Sequence, residues 1–146
     1  MMIPFLIALI VITGFVDSTM RTTSDFQVVA EATAIGDNMR AYMSYVRQYA
    51  SANPAFTGNV PDAANPYLPT WYIRPTTVNN WVASGTAYVY NTAPPIGLAG
   101  YISKSGYYTL KVGVNSNGLL SGPMTYGVAP IAIPPGVPQN SVVLVQ

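Results

Sequence analysis

Residues 25–52 read DFQVVAEATAIGDNMRAYMSYVRQYASA, and their reading decides the fold. Val28, Ala32, Ile35, Met39, Tyr42, Val46 and Tyr49 recur at alternating spacings of four and three. Only a helix places such a set on one face. Glu31, Asp37, Asn38, Arg40, Arg47 and Gln48 fall off that stripe, whereas Val29, Met43 and Ala50 widen it. A stripe this wide suits a helix laid against a sheet. A seam between copies is the second reading, although two tyrosines and an alanine specify a dimer poorly. Gly36 is a weak point, costing about 1 kcal/mol relative to alanine. Asn53-Pro54 ends the helix, because the residue before proline avoids the α region.

Upstream, residues 1–16 read MMIPFLIALIVITGFV and carry no charged side chain. Sixteen helical residues rise about 24 Å, short of a hydrocarbon core of about 30 Å. Thr19, Met20 and a snorkelling Arg21 extend the run. An uncleaved membrane anchor over 1–20 is the expectation. A secretory signal peptide fits less well, since a positive n-region and an A-x-A-like cleavage site are both missing. A helix buried in a larger assembly is the third option. The polar bridge 18–27 leaves open whether one helix crosses it or a second starts at Ser24, where Gln27 stands in capping-box spacing.

Downstream, five prolines punctuate residues 53–75. This reads as a wrapped loop, with Phe56, Tyr67, Leu68, Trp71, Tyr72 and Ile73 available for packing and a short edge strand at 70–74. A short helix is expected over 78–84, because Val78, Trp81 and Val82 share a helical face and Gly85 follows. From Thr86 the period becomes two. Residues 86–91 form a strand, with Ala87 and Val89 opposite Tyr88 and Tyr90. Residues 98–103 read as a second strand, 104–106 as a hairpin turn and 107–114 as a third strand. Asn117-Gly118 marks another hairpin turn. Short extended pieces follow, notably 125–133. SVVLV, 141–145, is a terminal strand that needs a partner. The fold class is therefore α+β: an N-terminal membrane helix and a long amphipathic helix packed on a small, mainly antiparallel sheet. Residues 21–146 make one domain, with its helix at about 25–52 and its β-rich part at 76–146.

Composition removes most chemistries. Charged residues are 8% of the 146, against a usual share of about 25%. The net charge is +1 with no basic cluster, so no nucleic-acid partner is expected. There is no cysteine and no histidine, which excludes thiolate chemistry and a Ser–His–Asp site. Asp62 is the only carboxylate after Asp37, so the β-rich part holds no carboxylate pair. A Ser–Lys dyad is conceivable only from Ser103 or Ser105 with Lys104 or Lys111. Neither phosphate-cradling glycine motif occurs, and metal ligation has only Asp62 to offer. No catalytic residue, metal or cofactor is expected. Tyrosine is enriched, with eleven residues. Tyr88, Tyr90 and Tyr107 on adjacent predicted strands, with Met39, Tyr42 and Val46 on the helix, are the candidate interaction surface. Half-buried packing is the alternative role for the tyrosines.

An apolar helical start, an amphipathic continuation and a C-terminal sheet resemble the lollipop plan of type IV pilins. In size and layout the chain more narrowly resembles the small inner-membrane PilM proteins of plasmid-encoded thin-pilus systems. Gly14-Phe15 is similar to a prepilin cleavage dipeptide. Asp17-Ser18-Thr19 then interrupts the apolar run, and no acidic residue lies within 1–16. The PilM resemblance implies an uncleaved, single-pass subunit of a conjugative pilus assembly apparatus. Its β-rich part would be periplasmic, and its partners other machinery subunits or further copies of itself. A minor pilin, and a secreted binding module with a tyrosine-rich face, are the alternatives.

Overall fold

The computed structural model describes residues 3–105, 111–122, 125 and 129–146, with side chains from residue 26 onward. One helix, α1, runs unbroken over Ile3–Ala52. Fifty residues make it about 75 Å long. It crosses the polar bridge without a break, which decides the question the capping signals left open. From residue 32 its stripe is buried as the spacing requires: Met39, Tyr42, Met43, Val46 and Ala50 are at most 1% exposed.

Beneath α1 lies a six-stranded sheet. Its strands are β1 (Thr57–Gly58), β2 (Val78–Ala83), β3 (Thr86–Asn91), β4 (Lys111–Ser116), β5 (Leu119–Ser121) and β6 (Val142–Val145). The order is β1-β2-β3-β6-β4-β5, and every pairing is antiparallel. A second helix, α2 (Leu98–Ser105), packs beside α1. The C-terminal strand thus takes two partners rather than one, and sits in the middle of the sheet.

Both faces of the sheet are covered. On the front face Val78, Val82, Ala87, Val89, Val112, Val142 and Leu144 pack with the α1 stripe and with Leu98 and Ile102 of α2. On the back face Tyr88, Tyr90, Leu120, Val143 and Val145 pack beneath Ile133 and Val137, with Trp81 and Ile131 at the margin. This is why β3 and β6 are buried on both sides while their residues alternate between two cores.

Three expected elements differ from those observed. Residues 78–83 are a strand, not a helix. Ser84 (φ 49°) and Gly85 (φ 77°) both take left-handed backbone and close a two-residue hairpin from β2 to β3. Gly85 is therefore a turn residue rather than a helix stop. Residues 98–105 are helical rather than extended. Leu98 and Ile102, one turn apart, are its buried pair. The edge strand lies at Thr57–Gly58 and not at 70–74. Of the loop aromatics and aliphatics, Phe56, Leu68 and Tyr72 pack on the core. Trp71, Ile73 and Tyr67 do not; they are 74%, 85% and 39% exposed. Lys104 and Ser105 end α2, while Gly106 and the expected strand start at 107–110 lie outside the described residues, as do 126–128; the rest of 125–133 is irregular apart from a single bridge from Ala132 to Leu119.

Gly36 has a packing reason that outweighs its weak helix propensity. A Cβ there would stand 2.7 Å from Cδ1 of Tyr101 and 3.1 Å from Cγ1 of Ile102. Its bare backbone lets α2 approach α1, and Tyr101 then donates a hydrogen bond to Asp37 at 3.0 Å. The Asn117-Gly118 turn forms where expected, with φ of 53° and 77°.

Candidate functional site

The proline-rich segment is tied to α1 and β2 by one polar cluster. Tyr42, 1% exposed in the middle of α1, donates from its hydroxyl to Oδ1 of Asp62 at 2.6 Å. Asp62 opens a short 3-10 turn, Asp62–Ala64. Its other oxygen accepts from Nε of Arg74 at 2.9 Å. Arg74 also donates to the Val78 carbonyl and, at 2.9 Å, to Oδ1 of Asn79. Its guanidinium lies 5.6 Å from the Tyr42 ring centre. Asn80, 1% exposed on β2, donates from Nδ2 to the Tyr42 hydroxyl at 2.6 Å and to the Val60 carbonyl at 2.8 Å. Its Oδ1 accepts the Val60 N–H at 2.9 Å.

Stacking completes the cluster. Tyr72 lies parallel to Tyr42 at 5.7 Å and donates to Oδ1 of Asn38 at 2.6 Å. Tyr45 meets Tyr72 edge-on. The cluster also closes the edge of the sheet. Among the described residues β1 pairs only with Val82 and Ala83. Beyond it, Arg74 and the Asn59 amide take up the Val78 and Asn80 carbonyls. Side-chain caps of this kind keep an edge strand from recruiting another chain.

Burial, then the hydrogen bond to Asp62, raises the Tyr42 hydroxyl pKa well above the usual tyrosine range. Burial likewise pushes Tyr72 up to about 12. Both phenols are neutral in the folded chain at pH values where the unfolded chain has already ionised them. Their contribution is therefore complete below about pH 10 and is lost as pH rises through the elevated values. We expect the urea midpoint to hold steady up to about pH 9 and to fall between about pH 10 and 12. Tyr72→Phe should make that fall shallower. A midpoint flat across this range in the parent protein would contradict the assignment.

Of the residues expected to form an interaction surface, Tyr42 belongs to this cluster from within the core and the others lie elsewhere. Met39, Tyr42 and Val46 are inside the front core, at most 1% exposed. Tyr88 and Tyr90 are 8% and 7% exposed beneath the 131–137 segment. Their position is that of packing residues: the sheet face they occupy has a cover. Tyr107 lies outside the described residues. The hydroxyls of Ser103 and Ser105 donate to Ala99 and Tyr101 carbonyls within α2. Among the described residues no group of three or more His, Cys, Asp or Glu is placed to hold a metal ion. The sequence reading passed over Arg74 and Asn80. A lone Asp62 and a lone Arg74 in a nearly uncharged stretch were the available signal, since half-buried charges need each other.

The described geometry defines a spine-and-sheet protein: a helix far longer than its sheet, with the globular part gathered at its C-terminal half. A family model described as PilM matches residues 6–145. This chain belongs to the PilM family. A solved structure from Pseudomonas aeruginosa 2192 that bears the pilM name is similar to it. The identity is 33%, over 78% of this chain and 92% of that one, with a TM-score of 0.51. No curated protein matches the chain.

Proposed function

We propose that this chain is a non-catalytic subunit of a type IV pilus assembly apparatus, of the conjugative thin-pilus kind. In this reading residues 1–20 hold it in the inner membrane and residues 21–146 lie in the periplasm. Membership of the PilM family over nearly the whole chain is the observation that carries the pilus-related role. The unbroken α1 adds support, because it joins the charge-free segment to the sheet domain in one helix. Among the described residues no helix is long and apolar enough to cross a membrane. The anchor reading therefore rests on the sequence of residues 1–16, whose side chains lie outside the described ones. The absence of histidine and cysteine, and the engagement of Asp62 by Arg74 and Tyr42, support a scaffold role over chemistry.

Two measurements test this. Full-length protein should stay with membranes through carbonate extraction. A C-terminal tag should be digested by protease in spheroplasts but not in intact cells. A tag protected in spheroplasts would reject the orientation, and release by carbonate would reject the anchor. Incorporation as a minor pilin is the second reading, favoured by Gly14-Phe15. It predicts a mature chain that starts at Phe15, which N-terminal sequencing would reveal.

A further inference from the structure

Asn117-Gly118 is the one Asn-Gly step in the chain. An asparagine cyclises most readily at such a step, because glycine puts no side chain beside the attacking nitrogen. Asn117 is exposed at the tip of the β4–β5 hairpin. The nitrogen that would attack it is engaged: the Gly118 N–H donates to Oδ1 of Asn115 at 3.0 Å. Asn115 is 3% exposed, so water competes little for that oxygen. Its Nδ2 donates to the Val137 carbonyl at 2.9 Å and to the Pro138 carbonyl at 3.1 Å, which fixes the orientation of the amide.

Two more bonds hold the turn. The Asn117 N–H donates to Oε1 of Gln139 at 3.0 Å, and the Ile133 N–H donates to the Gly118 carbonyl at 2.8 Å. With φ of 53° and 77°, Asn117 and Gly118 both occupy the left-handed region. Cyclisation needs the Gly118 nitrogen to lose its proton and to swing onto the carboxamide carbon of Asn117. The first step gives up the bond to Asn115. The second needs a rotation about the Cα–C bond of Asn117 that carries Gly118 out of the turn.

We propose that Asn117 is a modification site held latent by the fold, and that Asn115 is the residue that guards it. Once the guard is lost, the deprotonated Gly118 nitrogen attacks Cγ of Asn117; a C–N bond forms and ammonia leaves. Water then opens the cyclic imide at either carbonyl, giving aspartate or its β-linked isomer, with no change of oxidation state. The β-linked product adds one carbon to the backbone of the turn. It thereby draws the Gly118 carbonyl from Ile133 and the Asn117 N–H from Gln139, and loosens the 131–139 segment that covers Tyr88 and Tyr90. The inference goes beyond the pilus-related role and does not depend on it.

Full-length protein in detergent is incubated at mildly alkaline pH, with and without urea, and digested with trypsin. Residues 112–146 hold no lysine or arginine, so they leave as one peptide whose fragmentation spectrum locates any amide-to-acid gain in mass. Residue 117 should convert in urea, and at least about tenfold more slowly in the native protein. The Gly118 amide proton should exchange at least about tenfold more slowly in the native protein than in the unfolded chain. Asn115→Ala should convert about tenfold faster than the native parent. Asn115→Asp loses the same ties to 137 and 138 but keeps an acceptor for Gly118, so it should stay near the parent rate. The proposal is overturned by equal rates with and without urea, by no conversion in urea, or by an unprotected Gly118 amide. It is equally overturned by Asn115→Ala converting no faster than the parent, or by Asn115→Asp converting as fast as Asn115→Ala. The first three outcomes are read on the unaltered chain, so they decide the matter even where a variant does not fold.

Discussion

Deleting residues 141–146 should abolish the fold, not merely weaken it. Among the described residues β6 alone joins β1–β2–β3 to β4–β5. It bonds to β3 through Tyr88–Asn91 and to β4 through Lys111–Val114. Val142 and Leu144 enter the front core, and Val143 and Val145 the back core, all four between 0% and 5% exposed. Burying one such side chain is worth about 1.5–3 kcal/mol, so four approach the whole stability of a domain, about 5–15 kcal/mol. The loss would also leave β3 and β4 with buried, unpaired backbone groups. The truncated protein should show no cooperative urea transition. Leu144→Ala is the milder version, expected to cost about 2–5 kcal/mol with an unchanged denaturant slope. A truncated chain that still unfolds cooperatively would disprove the central role of β6.

Asn80→Leu should be the most damaging substitution that conserves volume. The amide serves three partners at once: the Val60 N–H, the Val60 carbonyl and the Tyr42 hydroxyl. Val60 is 1% exposed, so water cannot replace the lost bonds. Each buried group left unsatisfied costs about 1–3 kcal/mol, and a total of about 3–5 kcal/mol is expected. The Val60 amide should also lose its hydrogen-exchange protection, because the segment it belongs to has been released from β2. Combining Asn80→Leu with Tyr42→Phe should be less damaging than the separate costs imply, since both act on one network. Strict additivity would mean that the two side chains do not share a function.

These expectations rest on residues that the sequence revealed unevenly. The α1 stripe was plain over about six turns' worth of spacing, since only a helix reconciles such a run. The tyrosine strand β3 was plain because four residues alternate. The Asn117-Gly118 turn followed from backbone chemistry alone. Two of the three misassigned elements share one cause. Val78 and Val82 are four apart, and so are Leu98 and Ile102. A spacing of four lands on one face in both a helix and a strand, so the pattern could not choose. Tertiary pairing chose instead: the Ser84-Gly85 hairpin set 78–83 against β3, and contact with Gly36 set 98–105 against α1.

The candidate site was less legible still. Asp62, Arg74 and Asn80 stand in three separate pieces of chain and meet only after the loop folds back on α1. Local sequence carries no record of such a meeting. Likewise, alternation at Trp71 and Ile73 marks them as a pair, but not as the outward one. By itself, then, the sequence determined the helix and its buried stripe, the strand period of β3, the Asn117-Gly118 turn, the lack of histidine and cysteine, and the need of SVVLV for a partner. These follow from periodicity, backbone preference and which functional groups exist, all properties of neighbouring residues or of composition. Only the tertiary structure decided which strands pair, that both sheet faces are covered, and which aromatics remain in water, because each of those depends on contacts between segments far apart in the chain.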